Sequence, residues 1–229
     1  MTQQNRFGPV NTRFLLKRVR LDWWLQTQSS FLIKRLIDLC LTIPAFILLM
    51  PLFAVIALAI KLCDGGPVLY WQRRIGVNGK VFPFPKFRSM IVNSQKVRQT
   101  LDAQNEHGAK SVTFKMKSDP RITPVGKFLR RTSLDELPQL WCVLTGEMSL
   151  VGPRPPLPEE VVRYTMAQRE RLTVLPGLTC IWQVNGRSEV PFPQQVFMDI
   201  EYIRSRSLFL DLQLLGQTLP AVLKGRGAY

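Results

Sequence analysis

Two adjacent carboxylates, Asp135 and Glu136, stand in the stretch RRTSLDELPQLWCVLTGEMSLVGPRP, which runs from Arg130 to Pro155. The arginine pair Arg130/Arg131 precedes them, and the rigid turn Gly152-Pro153-Arg154-Pro155 follows. Acids and guanidinium groups crowded together in this way suit phosphate chemistry. The guanidinium forks onto phosphoryl oxygens, while a carboxylate acts as nucleophile or holds a metal ion. Flanking arginines are expected to keep such a carboxylate ionised, as either role requires.

Ser133 followed three residues later by Glu136 matches a capping box, and Leu134, Leu137, Leu140, Trp141 and Leu144 recur at helical spacing. The pattern predicts a helix from Ser133 with both acids in its first turn, early enough for Pro138 to be tolerated. A pair of acids that merely caps a helix is the plain alternative. Against it, neighbouring helical side chains point about 100° apart. Both acids therefore cannot serve one cap, and one is left to face a cleft.

Other elements must bring more charge to this stretch. Val68–Gln72 and Val81–Phe87 read as short strands joined by a turn at Asn78-Gly79, which places Lys86 and Arg88 on one strand face, toward a phosphate or toward solvent. Gly126–Arg130 reads as a short helix carrying Arg130, and Asn185-Gly186-Arg187 as a turn where backbone and guanidinium approach an anion together. The polar residues 93–120 are expected to form a helix and then a mobile loop over the site, and Glu159–Leu172 an amphipathic helix. Two helices are expected after Gln194; the second, Leu208–Leu223, is apolar but too polar to span a bilayer.

The chain of 229 residues carries a formal charge of +15 with 46% hydrophobic residues, which points to an anionic membrane or nucleic acid as its neighbour. Residues 1–30 interleave Arg6, Arg13, Lys17, Arg18 and Arg20 with apolar and aromatic residues, as a segment lying on a membrane surface or a disordered leader does. From Leu39 to Ile60 no residue is charged, a run long enough to span a bilayer. Pro44 and Pro51 fall inside it and basic residues crowd both flanks, so a hairpin returning to the same face at Met50-Pro51 competes with a straight span. Cys40, Cys63, Cys142 and Cys180 have no paired spacing, and His107 is the single histidine. Any metal site is therefore expected to use oxygen ligands, which favours magnesium or manganese.

Taken together, Lys34-Arg35-x-x-Asp38 before a proline-broken apolar run, Lys86-Phe87-Arg88-Ser89-Met90, Ser133–Gln139, Gly152–Pro155 and Gln183-Val184-Asn185-Gly186-Arg187 resemble the monotopic phosphoglycosyl transferases, the bacterial sugar transferase family. The resemblance implies an α+β, mainly helical membrane enzyme. Its parts would be a basic amphipathic segment (1–30), a re-entrant helix-break-helix (31–63) hinged at Met50 and Pro51, and a catalytic domain (64–229) on the cytoplasmic side of the bacterial inner membrane, with a short β-hairpin and surface amphipathic helices. It implies transfer of a sugar-1-phosphate from a UDP-sugar to undecaprenyl phosphate, initiating exopolysaccharide or O-antigen assembly. By the same resemblance Asp135 is the nucleophile, forming an aspartyl phosphosugar. Glu136 is a catalytic ligand of Mg2+, and Arg88, Arg130, Arg154 and Arg187 bind substrate. Met50 stands where some members have serine, and Cys180 where glycine is often found.

The competing reading is a non-catalytic basic protein holding anionic lipid, which leaves the acid pair without a purpose. Nucleic-acid binding explains the charge alone, since no recognised binding motif occurs, and nucleic acid is not an expected partner. A homodimer is compatible with the reading, and the sugar is not legible in these residues; the ending Gly225–Tyr229 leans toward glucose or galactose donors.

Overall fold

A computed structural model of the chain describes residues 12–94, 97 and 119–224, with side chains from residue 31 onward except at 188, 223 and 224. The surface character expected of residues 1–30, most of the loop expected within 93–120, and the ending Gly225–Tyr229 lie outside those residues. The chain divides into two units, residues 1–37 and 38–229. Helix α1 (Thr12–Asp64) starts in the first and continues into the second. Its stretch Phe31–Asp64 is long and apolar enough to cross a membrane.

Helix α1 carries Pro44 and the expected hinge residues Met50 and Pro51 inside it. Each proline removes one N–H from the helix ladder. The helix nevertheless continues because Leu49, Leu52 and Phe53, on either side of Pro51, pack against the two core clusters. Asp38, Thr42, Ile56 and Ile60 are buried, and Phe46, Leu49, Leu52 and Phe53 are partly buried, at steps of three and four residues. Between residues 38 and 60, α1 therefore lies lengthwise along the domain for about 33 Å. Ile47, Leu48, Met50, Val55, Leu58 and Leu62, by contrast, are exposed.

Strands β1 (Leu69–Ile75) and β2 (Val81–Phe87) form the expected antiparallel hairpin. Its turn puts Asn78 and Gly79 at φ 54° and 81°, a conformation that these two residues adopt at least cost. Tyr70 pairs with Lys86, Gln72 with Phe84 and Arg74 with Phe82, so Phe82, Phe84 and Lys86 share one face. Phe82 and Phe84 enter the main core with Val143, Met148, Leu150 and Tyr202.

Helix α2 (Pro124–Arg131), the short helix expected to carry Arg130, is capped by Thr123, whose Oγ1 accepts from the Gly126 N–H at 2.9 Å. The capping box expected at Ser133 does not form. Ser133 is left-handed (φ 58°), its side chain caps nothing, and a 3-10 helix (Leu134–Gln139) follows before α3 (Leu140–Thr145). Pro138 lacks the N–H that an α-helix would direct to Leu134, so the tighter turn prevails.

Strand β3 (Ser149–Val151) pairs in parallel with β4 (Gly177–Thr179), a pairing with no signal in the sequence pattern. The two approach closely because Gly152 lacks a side chain; a Cβ there would come within 2.5 Å of the Leu175 carbonyl oxygen. In place of the continuous helix expected over 159–172 there are α4 (Pro158–Val161) and a 3-10 turn (Gln168–Leu172). Val162 and Met166, on the expected apolar face, are more than four-fifths exposed. The buried side belongs instead to Tyr164 and Arg171, because Arg171 pairs with Asp199 at 2.6 Å and donates to the Tyr164 hydroxyl at 2.9 Å. After α5 (Ile181–Val184) come the two C-terminal helices, α6 (Phe192–Ser205) and α7 (Leu208–Lys224), as expected. They join through the Tyr202 hydroxyl, 2.7 Å from Asp211 and 3.1 Å from the Val151 carbonyl.

A Cβ on Gly126 would collide with the backbone of Ser89, so α2 is pressed directly onto the chain leaving β2. A helical Gly→Ala change ordinarily stabilises by roughly 0.5–1 kcal/mol. Gly126→Ala is expected to do the reverse, lowering stability by about 1–3 kcal/mol in thermal or denaturant unfolding. A stabilised variant would show that the contact with Ser89 is loose.

Candidate active site

The 3-10 helix presents its two acids to two different environments. Lys86, at the inner end of β2, places Nζ 2.8 Å from Glu136 Oε1. Arg154, on the loop leaving β3, forks onto the same carboxylate, with Nη2 at 2.6 Å from Oε1 and Nη1 at 3.3 Å from Oε2. Behind this clamp Arg74 on β1 is buried against Phe84, its guanidinium 5.1 Å from the ring centre. Arg74 Nη1 donates to the Pro155 carbonyl at 3.0 Å, and the Ile75 N–H to that of Pro156 at 3.0 Å. The hairpin thus grips both sides of the clamp: Lys86 directly, and Arg154 through its loop.

Burial alone would raise the pKa of Glu136, but Arg154 and Lys86 outweigh it and hold the carboxyl well below the usual range. Asp135 is buried without a hydrogen-bonded cation among the described residues. Burial first, then the neighbouring Glu136 charge, push it up to about 6 against the opposing pull of Lys86. Of the two carboxylates that the arginines could have served, it is Glu136 that the cations hold directly. Two carboxyls driven apart by their surroundings are equipped for different tasks. Asp135 is ionised at neutral pH, yet little of its charge is neutralised by direct partners, as a nucleophilic oxygen requires.

Of the expected site residues, Glu136 and Arg154 meet directly, and Asp135 lies within reach of both their charges. Arg130, at the end of α2, is close enough for its charge to act on Asp135, and Arg187 lies within electrostatic reach of Glu136, Arg154 and Asp135. Neither makes an ion pair among the described residues, so both guanidinium groups are available to an anionic ligand. Arg187 has φ 55°, and the adjoining Gly186 φ 145°, a tight turn. Arg88 is not brought to this cluster. It is buried, donates from Nη1 to Asp64 at 2.7 Å and from Nε to the Pro67 carbonyl at 2.6 Å, and points to the end of α1. Lys86 is the site residue that sequence reasoning left on an undecided strand face; its alternation with the core residues Phe82 and Phe84 was the available signal. Cys180, at the position where glycine is often found, is fully buried and donates to Gln183 Oε1 at 3.0 Å.

An oxygen-ligated cation fits this acid pair as a site completed by substrate. Among the described residues Glu136 Oε2 meets one partner, at 3.3 Å, leaving acceptor positions beside Asp135. Magnesium commonly takes one or two carboxylates, with phosphates and water for the rest. No cluster of three or more His, Cys, Asp or Glu side chains occurs among the described residues, so the protein alone offers no closed cage.

Residues 29–225 match the family described as bacterial sugar transferase. This chain belongs to that family. It is 44% identical over 214 residues, 92% of its own length and 44% of the relative's, to the undecaprenyl-phosphate galactose phosphotransferase of Salmonella typhimurium. It is 42% identical to the exopolysaccharide production protein ExoY of Sinorhizobium fredii, covering 86% of this chain and 88% of the relative. It is 37% identical to the undecaprenyl-phosphate glucose phosphotransferase of Komagataeibacter xylinus, covering 98% and 41%. The chain thus spans less than half of the two phosphotransferases and most of the shorter ExoY protein. The family match includes the whole charge cluster, from Lys86 to Arg187, together with the apolar part of α1.

The rise of Asp135 from 3.8 to about 6 means that the folded protein holds this proton more tightly than the unfolded chain does. Stability is therefore greatest below about pH 4 as far as this group is concerned, and is lost as pH rises through 6. Replacing Asp135 by Asn removes that loss. At pH 7.5 the free Asp135→Asn variant is expected to exceed the wild type by up to about 3 kcal/mol, with the advantage vanishing near pH 4. Melting curves across pH test this, and a constant offset would show that Asp135 titrates normally.

Proposed function

We propose that this protein transfers a sugar-1-phosphate from a UDP-sugar to undecaprenyl phosphate, initiating an exopolysaccharide or O-antigen. The observation that carries the reading is the divided acid pair: Glu136 gripped by Lys86 and Arg154, Asp135 buried beside it with no direct cation. The names of the Salmonella and Komagataeibacter relatives support the lipid acceptor and a hexose, galactose or glucose.

Ionised Asp135 attacks the sugar-linked phosphorus of the donor. The bond from that phosphorus to the bridging oxygen breaks and UMP leaves with the electron pair. An oxygen of the lipid phosphate then attacks the aspartyl phosphosugar, expelling the Asp135 carboxylate and forming the lipid diphosphate sugar. Arg154 and Lys86 keep Glu136 ionised and fixed, while Arg130 and Arg187 are placed to offset phosphate charge that would otherwise repel the nucleophile. Glu136 would hold Mg2+, which would supply charge neutralisation at the donor phosphates.

The lengthwise packing of α1 supports a monotopic placement. A helix whose one side rests on the domain from Asp38 to Ile60 cannot stand upright in a bilayer core about 30 Å thick without drawing the domain's charged residues into it. With its exposed apolar side in the lipid and its packed side on the domain, the protein sits on one face of the membrane. The basic flanks favour the cytoplasmic face of the inner membrane.

The test is UMP release by the protein in nanodiscs with magnesium, undecaprenyl phosphate and a panel of UDP-sugars. One sugar is expected to release UMP and to label Asp135 with phosphosugar when the lipid is withheld. Asp135→Asn should abolish release and labelling while leaving membrane association unchanged. Labelling of the Asn variant would move the nucleophile elsewhere; silence with every donor would favour a lipid-holding protein without catalysis.

A further inference from the structure

Beyond the residues at the reacting atoms, α1 itself is wired to the charge cluster. We propose that Asp38 and Asp64, at the two ends of the packed part of α1, are positioning residues that hold the two strands whose cations clamp Glu136. The role in catalysis rests on the transfer reading above; the wiring itself stands on the geometry.

Asp38 is 4% exposed, although it lies at the start of an apolar run. A carboxylate in such a place is costly and needs a partner. Its Oδ1 accepts from the Leu150 N–H at 3.1 Å. On the β4 side of β3, the N–H groups of Ser149 and Gly152 donate to Pro176 and Thr179. Leu150, at the middle of β3, directs its N–H to the other side, where Asp38 supplies the acceptor. Four residues further on is Arg154, so the hydrogen bond fixes the strand from which the Arg154 loop departs.

Asp64 is the last residue of α1 and receives a two-pronged ion pair from Arg88, Nη1 to Oδ2 at 2.7 Å and Nη2 to Oδ1. Gly66 lies flat against the guanidinium; a Cβ there would come within 2.6 Å of it. Arg88 continues the hairpin ladder, its N–H donating to the Val68 carbonyl at 2.9 Å, and stands two residues from Lys86. Pinning Arg88 therefore pins the end of β2 from which Lys86 reaches Glu136.

Apolar contacts along α1, through Phe46, Phe53, Ile56 and Ile60, hold the helix to the domain. The two carboxylates add hydrogen bonds, whose directionality fixes its seat along the axis. A slide of one residue is about 1.5 Å, enough to take Lys86 or Arg154 out of reach of Glu136. A misplacement of that size costs a positioned reaction about 100-fold. The membrane helix and the chemistry are thereby coupled: what sets the seat of α1 sets the clamp.

The test uses the full chain in nanodiscs with Asp38→Asn, Asp64→Asn and Asp64→Glu; Arg88→Lys, which keeps the charge and loses the fork, stands in if Asp64→Asn does not fold. Labelling of Lys86 with a small amine reagent, and of Arg154 with a dicarbonyl, is read by peptide mass spectrometry against the exposed Lys127. Asp64→Asn is expected to raise Lys86 labelling severalfold, and Asp38→Asn that of Arg154, with Lys127 unchanged. UMP release should fall about tenfold or more in kcat with donor KM little altered, and Asp64→Glu should restore most of it. Unchanged labelling overturns the proposal, as does full kcat with raised labelling. If the wild type turns over no donor, the transfer reading falls, and the labelling alone upholds or overturns the wiring.

Discussion

The ion triad Lys86–Glu136–Arg154 is the interaction on which the rest of the structure depends. One carboxylate in a largely dry site takes two cations, and both come from outside its own 3-10 helix: Lys86 from a hairpin 50 residues earlier, Arg154 from a strand exit 18 residues later. Removing either partner would leave charge buried without full compensation, a loss of several kcal/mol in comparable sites. The register of β1 and β2, the pairing of β3 with β4, and the left-handed step at Ser133 all serve to bring these three groups within hydrogen-bond distance. Arg74 completes the arrangement by tying the hairpin to the Pro155 carbonyl, while burial, and Arg154 nearby, lower its own pKa to about 10.

That triad also makes the site asymmetric. Asp135 and Glu136 are neighbours in sequence and of like charge, and both are taken out of water. The cations satisfy one of them and leave the other with a raised pKa, so the fold separates a held acid from one without a direct cation. Guanidinium groups that are not committed to protein carboxylates, Arg130 and Arg187, then face the pair from two further elements. The net charge of +15 has the same meaning at larger scale: it makes a field that attracts anions.

Helix α1 is more than an anchor. Its inner side carries a polar residue at each end of the packed part, Asp38 and Asp64, with aromatic and aliphatic residues between. Phe46, Phe53 and Phe87 touch edge to face in a row, at 5.5 and 5.6 Å between ring centres, joining the helix to β2 beside Lys86. Between residues 39 and 60 its exposed residues are all apolar. Pro44 and Pro51 are absorbed without ending the helix, since the domain beneath holds both halves. Membrane attachment and active-site geometry therefore share one element.

The sequence by itself determined what is local or carried by composition. The Asn78-Gly79 hairpin, the helix carrying Arg130, the two C-terminal helices, the long apolar run and the acid pair with its arginines were legible, because turn chemistry, periodicity and charge are read within a few residues. What only the tertiary structure decided depends on distant partners. It divided the expected helix over 159–172, because Arg171 and Tyr164 found Asp199 a better neighbour than Val162 and Met166 could offer. It gave Glu136, not Asp135, to the cations, sent Arg88 to Asp64, and brought Lys86 into the site. A side chain's partner across 50 residues is chosen by strand register and by which carboxylate the fold removes from water, and neither is written in the residues that flank it.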